Sequence, residues 1–532
     1  MPKIVECVPN FSEGKDVKII DAISNAIRST DGVSLLDVDP GPSSNRTVYT
    51  FLGSPDAVVE GALNAARVAY KLIDMTKHKG EHPRLGALDV CPFIPVQGVE
   101  DEECIYCAKK FGEKLSAELK VPGKFLFSVQ IPRIDSLNIA LLGFLSKTEW
   151  KPDYGPTDFV PRWGATITGA RKFLIAYNVN ILSTKEQAHR IALNIREQGR
   201  GPESAGKLKN CQAIGWYLDE FNLAQVSINL TDHSITPMHV AYEEVCKNAT
   251  ELKLAVTGSQ VVGLVPLKAL LQAAEFYIKK ENLFILEEDQ KVHLAVNRLG
   301  LNSLGDFDPK KRIIEYMLPN TNVGPLASKT LEEFILNVAA RTPAPGGGSV
   351  AATVAALGSA LGAMVGQMTY GKRQWEAQDE QMRRLIPVMH NTMKEQIKII
   401  DSDTTAFNDY MAALKLPKET EEEIMTRDVA MQAGLKKAIS VPMSLAKSIN
   451  KIWAAMLELA EFGNIGTKSD IQVGTQCLLA GIRGAYYNVK INLDGILDSE
   501  YREMTKAEIE QELKLAEKKS EEVLIKASER KD

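Results

Sequence analysis

The hydrophobic pattern of this chain changes near Leu318, and that change constrains the fold more than any other feature. Before it, short apolar runs typical of strands alternate with segments whose apolar residues recur every three or four positions, as in amphipathic helices. After it the pattern is helical, without a convincing alternating strand. Residues 319–325 are rich in turn formers, and Thr330 and Glu333 then fit the capping box that opens a helix. We therefore expect a multidomain chain in which an α+β module precedes an all-α helical bundle.

The α+β module contains one order of predicted elements twice: strand, helix, two strands and helix. The first copy occupies residues 4–8, 17–27, 33–38, 47–52 and 57–73, and the second occupies residues 173–179, 184–197, 212–218, 223–230 and 238–252. In the first copy, residues 39–46 are predicted to form a turn-rich connector between the paired strands. The expected domains are two βαββα-type subdomains at residues 1–173 and 174–317, a linker at 318–329 and the helical domain at 330–532.

Composition and charge exclude several classes of protein. With 45% hydrophobic and 25% charged residues, the 532-residue chain matches folded proteins and is too long for one ordinary core. Its 63 basic and 68 acidic residues give a net charge of -5, so no global charge attracts nucleic acid or an acidic membrane. Seven scattered cysteines are too few for a disulfide framework, and the N-terminus shows no secretory signal. A cytoplasmic protein is expected.

One uncharged run, residues 350–368, approaches the length of a membrane span. It is rich in Ala, Gly and Ser, and Gly358, Gly362 and Gly366 recur every four residues. Small residues on one helical face permit close helix contact, and the low hydrophobicity favours a buried bundle helix over a transmembrane segment.

Polar residues near two predicted loops of the first subdomain are candidates for chemistry. His82 lies among opposed charges, glycines and prolines, where an imidazole suits either proton transfer or a structural hydrogen bond. Near it, a pocket for an anion or an amidine could use four further residues: Asp39, Asn45, Arg46 and Arg84. A third loop has two interpretations: a surface for a flat heteroaromatic ligand, or a packed connector. The chemistry of its residues alone favours the connector. The loop consists of Gly155, Pro156, Thr157, Asp158, Phe159, Val160, Pro161, Arg162, Trp163 and Gly164.

The helical region offers a glycine-rich helix start and a pair of carboxylates. The exposed backbone N–H groups of a helix start favour an anion, although a flexible linker is the competing interpretation. The residues concerned are Gly346, Gly347, Gly348 and Ser349. At most one of Asp401 and Asp403 is expected to face a buried cleft, where a raised pKa would suit acid catalysis. No spacing suggests a shared metal site, and the Cys104 and Cys107 pair reads as ordinary thiols on a helix.

Five motifs in order resemble the bifunctional formimidoyltransferase-cyclodeaminase family over nearly the whole chain. They are residues 6–14 (ECVPNFSEG), 80–84 (GEHPR), 159–164 (FVPRWG), 344–349 (APGGGS) and 401–403 (DSD). The resemblance implies that the formimino group of N-formimino-L-glutamate passes to tetrahydrofolate, and that the product then cyclises to 5,10-methenyltetrahydrofolate with release of ammonia. The two activities that the resemblance implies are those of a transferase and an ammonia-lyase in histidine degradation.

The resemblance also implies roles and partners. His82 would be the acid/base catalyst of the transferase, residues 155–164 would contact folate, and Asp403 would be the cyclodeaminase acid. Polyglutamylated tetrahydrofolate would be the co-substrate, with no metal and no redox cofactor. Family members are expected to form octamers and to associate with the Golgi apparatus, the cytoskeleton and the centrosome. The folate tail could meet four basic residues, which are equally compatible with a solvated helix surface: Lys372, Arg373, Arg383 and Arg384.

Residues 123–149 depart from the family pattern. A short strand and a polar helix are expected there, but the run Leu137 to Leu145 is unusually apolar. Loss of a central strand could disable the transferase. The alternative function is therefore a folate-binding scaffold associated with the Golgi and the cytoskeleton that retains only cyclodeaminase activity.

Overall fold

The computed structural model describes residues 3–42, 45–80, 84–126, 151–158, 160–317 and 324–530. The chain divides into two compact units, Met1–Pro319 and Asn320–Asp532. The first unit contains strands and helices, and the second contains long helices, so the predicted change of architecture is confirmed.

The first sheet of the first unit is built from seven strands. They are β1 (Ile4–Cys7), β2 (Asn10–Phe11), β3 (Val33–Gly41), β4 (Arg46–Gly53), β5 (Leu88–Gln97), β6 (Gly123–Phe125) and β7 (Thr166–Ala170). β1 and β2 lie in succession between β4 and β5, and β3 pairs with the other side of β4, all antiparallel. β7 then runs parallel to β5, and β6 runs parallel to β7. The described start of the divergent segment is therefore a strand beyond β7, and residues 127–150 lie outside the described part.

Three helices pack their apolar faces onto one side of this sheet: α1 (Val17–Arg28), α2 (Pro55–Leu72) and α3 (Asp101–Leu119). The start of α2 follows directly from its sequence. The Ser54 hydroxyl accepts a hydrogen bond from the Ala57 N–H, and Pro55 stands at the first helical position, where its missing N–H costs nothing. Val58 and Ala62 then face the core.

The second sheet is formed by β8 (Ile175–Leu182), β9 (Cys211–Leu218), β10 (Leu223–Leu230) and β11 (Ala255–Val262). It is covered by α4 (Lys185–Ile195), α5 (Met238–Glu251), α6 (Leu267–Lys280) and α7 (Glu288–Leu299). The strand order β9-β10-β8-β11 reproduces the order β3-β4-β1-β5 of the first sheet, with every pair antiparallel. The predicted pair of βαββα subdomains is confirmed, and each is extended by a further strand beside its first one. Short helices α8 (Pro309–Arg312) and α9 (Ile314–Met317) follow, and Leu52, Leu264 and Ile314 form an apolar contact between the subdomains.

The second unit contains α10 (Leu331–Val338), α11 (Gly347–Thr369), α12 (Asp379–Leu414), α13 (Glu421–Asn450), α14 (Trp453–Phe462), α15 (Lys468–Leu493) and α16 (Ser499–Glu529). The predicted capping box opens α10, because Thr330 and Glu333 each bond to the other's backbone N–H. Among the described residues, α11 alone is long and apolar enough to cross a membrane, and most of its apolar window is buried. Its glycines contact α12, α14 and α15; a Cβ on Gly358, for example, would lie 2.7 Å from the carbonyl oxygen of Gly474. The prediction that α11 is a buried bundle helix is confirmed for the face that carries the glycines.

One predicted boundary is wrong. Asp39 and Arg46 belong to β3 and β4, not to the connector between them, which is only residues 42–45. Pro40 suggested a turn, but β3 pairs on only one side among the described strands, and such a strand tolerates proline because its outer N–H groups need no partner.

Candidate active sites

A buried ion pair anchors the first candidate site. Arg46 begins β4 and Asp89 lies in β5, and the arginine Nη2 is 3.1 Å from the Asp89 Oδ2. Arg46 is 8% exposed and Asp89 1%. The same Nη2 donates to Asn10 Oδ1 at 2.7 Å, and Asp89 Oδ1 accepts from the Leu85 N–H at 2.6 Å. The pair therefore connects three strands with the loop that precedes β5.

Asn45 connects the end of the 6–14 motif to the histidine loop, the segment from His78 to Ala87 that precedes β5. Its φ of 51° is in the left-handed region that asparagine tolerates better than most residues. Its Oδ1 accepts from the Gly14 N–H at 2.9 Å, and its Nδ2 donates to the Lys79 carbonyl at 2.8 Å. Its own carbonyl oxygen is 3.0 Å from His78 Nε2. Asn45 therefore bonds to both segments at once.

His78 and Arg84 lie on either side of the predicted catalytic histidine. His82 itself lies outside the described residues, so its position stays a prediction. The Arg84 Nη1 is 2.5 Å from His78 Nδ1, and the Arg84 Nη2 also donates to the Gly80 carbonyl. Burial and then the Arg84 charge lower the pKa of His78, which favours a neutral ring. Burial and then Arg46 lower the pKa of Arg84.

The loop at residues 155–164 packs directly on the end of the histidine loop. The Ala165 N–H donates to the Leu85 carbonyl at 3.0 Å, and the Ala87 N–H donates to the Trp163 carbonyl at 2.7 Å. Gly164 has a φ of +82°, and a Cβ there would lie 2.1 Å from the Leu85 carbonyl oxygen. Only glycine permits this approach.

Trp163 is a core residue and is not part of a ligand-facing surface. It is 1% exposed, packs against Tyr70 at 5.8 Å between ring centroids, and donates Nε1–H to Thr166 Oγ1 at 3.0 Å. For this residue the packed-connector interpretation describes the structure. The loop residues that solvent and ligands can reach are the exposed Gly155, Thr157, Asp158, Pro161 and Arg162, with Pro156 and Val160 half-buried. Phe159 lies outside the described residues.

Asp39 has different neighbours from those predicted. It is exposed as a residue, yet partial burial of its carboxyl group raises its pKa, with Asp37 adding to the rise and Arg312 opposing it. Asp39 therefore faces charged groups of β3 and α8, whereas Arg46 pairs with Asp89.

The second candidate site lies at the start of α11 and centres on Asp403. This carboxyl group, on α12, is so close to Gly348 that a Cβ there would lie 2.0 Å from Asp403 Oδ1. Ser349 Oγ is 3.2 Å from Asp403 Oδ2, 2.8 Å from the Ile400 carbonyl oxygen and 3.1 Å from Thr404 Oγ1. Burial raises the pKa of Asp403, although hydrogen bonds from Ser349 oppose the rise. A carboxyl group with a raised pKa can donate a proton near neutral pH.

Asp401 has a structural role. Its Oδ1 accepts from the Leu326 N–H at 2.7 Å and its Oδ2 from the Ala327 N–H at 3.1 Å. This agrees with the expectation that at most one of the two aspartates faces a cleft. The segment around residue 326 is accordingly held against α12 by side-chain hydrogen bonds.

Gly346, Gly347 and Gly348 form the N-terminal cap and first turn of α11, not a flexible linker. Gly347 is exposed, and a Cβ on it would lie 3.5 Å from Nδ2 of Asn488, on α15. The turn is thus flanked by Asp403 on one side and by an amide on the other.

Sequence reasoning did not single out His78, Asp89 or Asn488. Asp89 carried a usable signal, since an aspartate inside an apolar strand run must pair with something when it is buried. Asn488 carried none, because an asparagine in a long amphipathic helix is usually a solvated residue. Among the described ranges, no group of three or more His, Cys, Asp or Glu residues could hold a metal ion.

Comparison with known proteins covers both units. Sequence profiles match for the N-terminal subdomain of the formiminotransferase domain at residues 4–171, the formiminotransferase domain at 176–319, and formiminotransferase-cyclodeaminase at 330–511. The chain is 55% identical to formimidoyltransferase-cyclodeaminase of Rattus norvegicus over 100% of both chains. It is 38% identical to glutamate formimidoyltransferase of Streptococcus pyogenes serotype M1, over 55% of this chain and 99% of that one.

A further relative corresponds to a smaller part of the chain. Methenyltetrahydrofolate cyclohydrolase of Methylorubrum extorquens is 31% identical over 34% of this chain and 88% of its own length. The full-length identity to the rat protein and the three matched profiles, which together span most of the sequence, lead to one conclusion. This chain belongs to the formimidoyltransferase-cyclodeaminase family.

Proposed function

We propose that this chain is a bifunctional folate enzyme that transfers the formimino group of N-formimino-L-glutamate to tetrahydrofolate and then cyclises the product. The proposal depends on one observation in a chain of this family: the Asp403 carboxyl group, whose pKa burial raises, lies against the first turn of α11, where only a glycine fits at position 348. The products would be glutamate, 5,10-methenyltetrahydrofolate and ammonia.

The transferase step is assigned to the first unit. It requires a proton to leave the attacking folate nitrogen and another to reach the departing amine, and one imidazole can do both in turn. His82 is proposed for this role by its resemblance to the family motif. Arg84 is proposed to hold a substrate carboxylate, because the described groups to which it hydrogen-bonds, the His78 ring and the Gly80 carbonyl, are neutral. The exposed residues of the 155–164 loop are proposed to contact folate.

The cyclodeaminase step is assigned to the second unit. The second folate nitrogen attacks the formimino carbon, that nitrogen loses its proton, and the former amidine nitrogen leaves as ammonia after protonation. Asp403 is proposed as the acid, because its raised pKa favours the form that donates. The chemistry needs no change of oxidation state, so no redox cofactor is proposed. No metal is proposed either, because Asp403 is assigned the role of the acid.

The co-substrate is proposed to be polyglutamylated tetrahydrofolate. A glutamate tail is an anion and needs local cations on a chain with a net charge of -5. Lys372 and Arg373 are exposed, whereas Arg384 is engaged with Glu458. The first two are therefore the better candidates of the predicted basic set.

A homo-oligomer, an octamer by family resemblance, is also proposed. An uninterrupted apolar seam supports it: positions 350, 354, 357, 361, 364 and 368 of α11 are spaced by alternating steps of four and three, as in a helix-packing seam. Leu357 is 54% exposed, and on the neighbouring α15 Tyr487 and Ile491 are 65% and 72% exposed. A second copy of this chain is the proposed partner that covers this apolar surface.

The double variant Leu357→Lys, Tyr487→Lys should lower the mass measured by analytical ultracentrifugation. An unchanged mass would reject this interface.

A cytoplasmic location with peripheral association with the Golgi, the cytoskeleton and the centrosome completes the proposal. It rests on family resemblance and on the seven cysteines, all of which are free thiols. Fractionation of cells that express the tagged chain would test it, and recovery only inside a membrane-enclosed compartment would contradict it.

The function is tested with two parallel reactions that follow the absorbance of 5,10-methenyltetrahydrofolate. One contains tetrahydrofolate and N-formimino-L-glutamate, and the other starts from 5-formiminotetrahydrofolate. Product from both is expected. Product from the second alone would support the scaffold alternative, in which the divergent segment has disabled the transferase, and no product from either would reject both enzymatic assignments.

A further inference from the structure

The first turn of α11 lies between two polar side chains that belong to different helices. On one side is Asp403 of α12, next to Gly348, and on the other is Asn488 of α15, next to Gly347. Gly348 is buried, whereas Gly347 is exposed. The turn therefore has a closed side that holds the carboxyl group and an open side that holds the amide.

Both glycines keep this space free of side chains. A Cβ at position 348 would collide with the Asp403 carboxyl group, and one at position 347 would come within 3.5 Å of Asn488 Nδ2 and 3.9 Å of its Oδ1. The backbone approaches Asp403 this closely only because position 348 lacks a Cβ, whereas a Cβ at position 347 would make ordinary van der Waals contact with Asn488. Because Gly347 is exposed, the turn is open to solvent on the side of Asn488.

The amide of Asn488 has an acceptor available for such a group. Its Nδ2 donates to the Gly484 carbonyl at 2.8 Å, one turn earlier in α15, which fixes the orientation of the side chain. Within the described ranges, no residue donates a hydrogen bond to its Oδ1. Asn488 is half-buried, so an acceptor that remained without a donor there would be partly desolvated.

We propose that Asn488 orients the formimino group of the folate substrate by accepting a hydrogen bond from its terminal N–H; this inference rests on the cyclodeaminase function proposed above. This nitrogen needs two protons to leave as ammonia: one is the proton that the second folate nitrogen loses as it attacks, and Asp403 donates the other. The bond between the second folate nitrogen and the formimino carbon forms, the bond from that carbon to the departing nitrogen breaks, and its electron pair leaves with the ammonia.

A neutral amide suits this position better than a second carboxylate would. An amide oxygen accepts the N–H without adding charge, so Asp403 remains the group that exchanges the proton. Because Asn488 and Asp403 are held by two different helices against a third, their spacing is set by the packing of the bundle and needs no reorganisation when substrate binds.

Two substitutions of similar size separate orientation from packing. Asn488→Leu keeps the volume but removes the acceptor, and Asn488→Asp keeps an acceptor oxygen. With 5-formiminotetrahydrofolate as substrate, Asn488→Leu should lower kcat about tenfold or more while KM changes less than about threefold. Asn488→Asp should retain more of the wild-type kcat than Asn488→Leu at the same pH.

Asn492→Leu is the matched control. Asn492 lies one turn further along α15 and donates Nδ2–H to the Asn488 carbonyl at 2.8 Å, so its loss perturbs the same helix without removing the proposed acceptor. Far-UV circular dichroism and the thermal unfolding transition of each variant report whether its helical unit is folded.

The outcomes are distinct. A kcat for Asn488→Leu within twofold of wild type, or an equal loss in Asn488→Asp and Asn488→Leu, would overturn the role of Asn488 while wild-type turnover left the cyclodeaminase assignment standing. A wild-type chain that never converts 5-formiminotetrahydrofolate would overturn the proposed function and this inference with it.

Discussion

Asp89 in the first unit is buried and Asp403 in the second is half-buried, and their electrostatic surroundings differ. Asp89 lies 3.1 Å from an arginine, so opposite charges compensate each other. Asp403 receives hydrogen bonds from the neutral Ser349, and burial dominates its pKa. A compensated carboxylate stays ionised and serves to hold structure or ligands, whereas a desolvated one without a cation can exchange a proton.

Replacing Asp403, the carboxyl group that exchanges a proton, should have the largest effect on activity. Asp403→Asn removes the proposed acid and should lower kcat from 5-formiminotetrahydrofolate by about 10²–10⁴-fold, the usual contribution of general acid catalysis. Glutamate release by the first unit should persist.

Asp401→Asn is the matched control for that variant. It weakens two backbone hydrogen bonds, so the free energy of unfolding of the second unit should fall by about 1–3 kcal/mol while turnover per folded molecule stays. Loss of turnover in Asp401→Asn with retention in Asp403→Asn would reverse the two roles.

Breaking the compensated pair should mainly affect stability. Asp89→Asn leaves the Arg46 charge buried beside a neutral amide, and it should lower the free energy of unfolding by about 3–5 kcal/mol in chemical denaturation, with loss of transferase activity. The exposed pair of Arg67 and Glu118 provides a comparison, since Glu118→Gln should cost at most about 1 kcal/mol. Equal losses in the two variants would show that burial of the first pair carries no extra energy.

Glu6 extends the comparison to a buried carboxyl group whose nearby arginine does not compensate for burial. It is 2% exposed, and burial raises its pKa to about 7, with Arg171 opposing and Glu315 adding to the rise. Between the usual value of 4.5 and about 7 the folded chain holds a proton that the unfolded chain has released. The free energy of unfolding of the first unit should therefore fall as pH rises through this window, by about 1–3 kcal/mol.

Glu6→Gln should remove most of that pH dependence. Denaturant titrations of both proteins at pH 5 and pH 8 measure the difference, and parallel pH slopes would exclude Glu6 as its source.

Ser349→Ala should have the smallest effect and sharpens the role of Asp403. The variant removes a hydrogen bond that opposes the rise in the pKa of Asp403. Cyclodeaminase activity depends on the protonated acid and is lost as pH rises through that pKa, so the alkaline limb of the kcat profile should move to higher pH in the variant. Movement of the acidic limb to higher pH, with the alkaline limb unchanged, would indicate that Asp403 acts as a base.

The elements that could be predicted are those whose signals are local. Helix α2 was expected at residues 57–73 and occupies Pro55–Leu72, because its cap, its proline and its apolar spacing lie within one segment. The ends of β3 and β4 could not be read in the same way, since residues 39–46 contain turn formers that an outer strand tolerates. The sequence left both a ligand surface and a packed connector open for Trp163, and its packing against Tyr70 agrees with the connector that chemistry alone favoured.

The sequence by itself determined the change from an α+β module to a helical bundle, the repeated βαββα order and the family, because periodicity and motifs are properties of neighbouring residues. Only the tertiary structure decided that Arg46 meets Asp89, that Asp403 and not Asp401 adjoins the glycine turn, and that Asn488 lies on its other side. These contacts join residues 43, 55 and more than 100 positions apart. Such distant partners decide whether a buried charge is compensated. The energy of a buried charge depends on its burial and on its compensation.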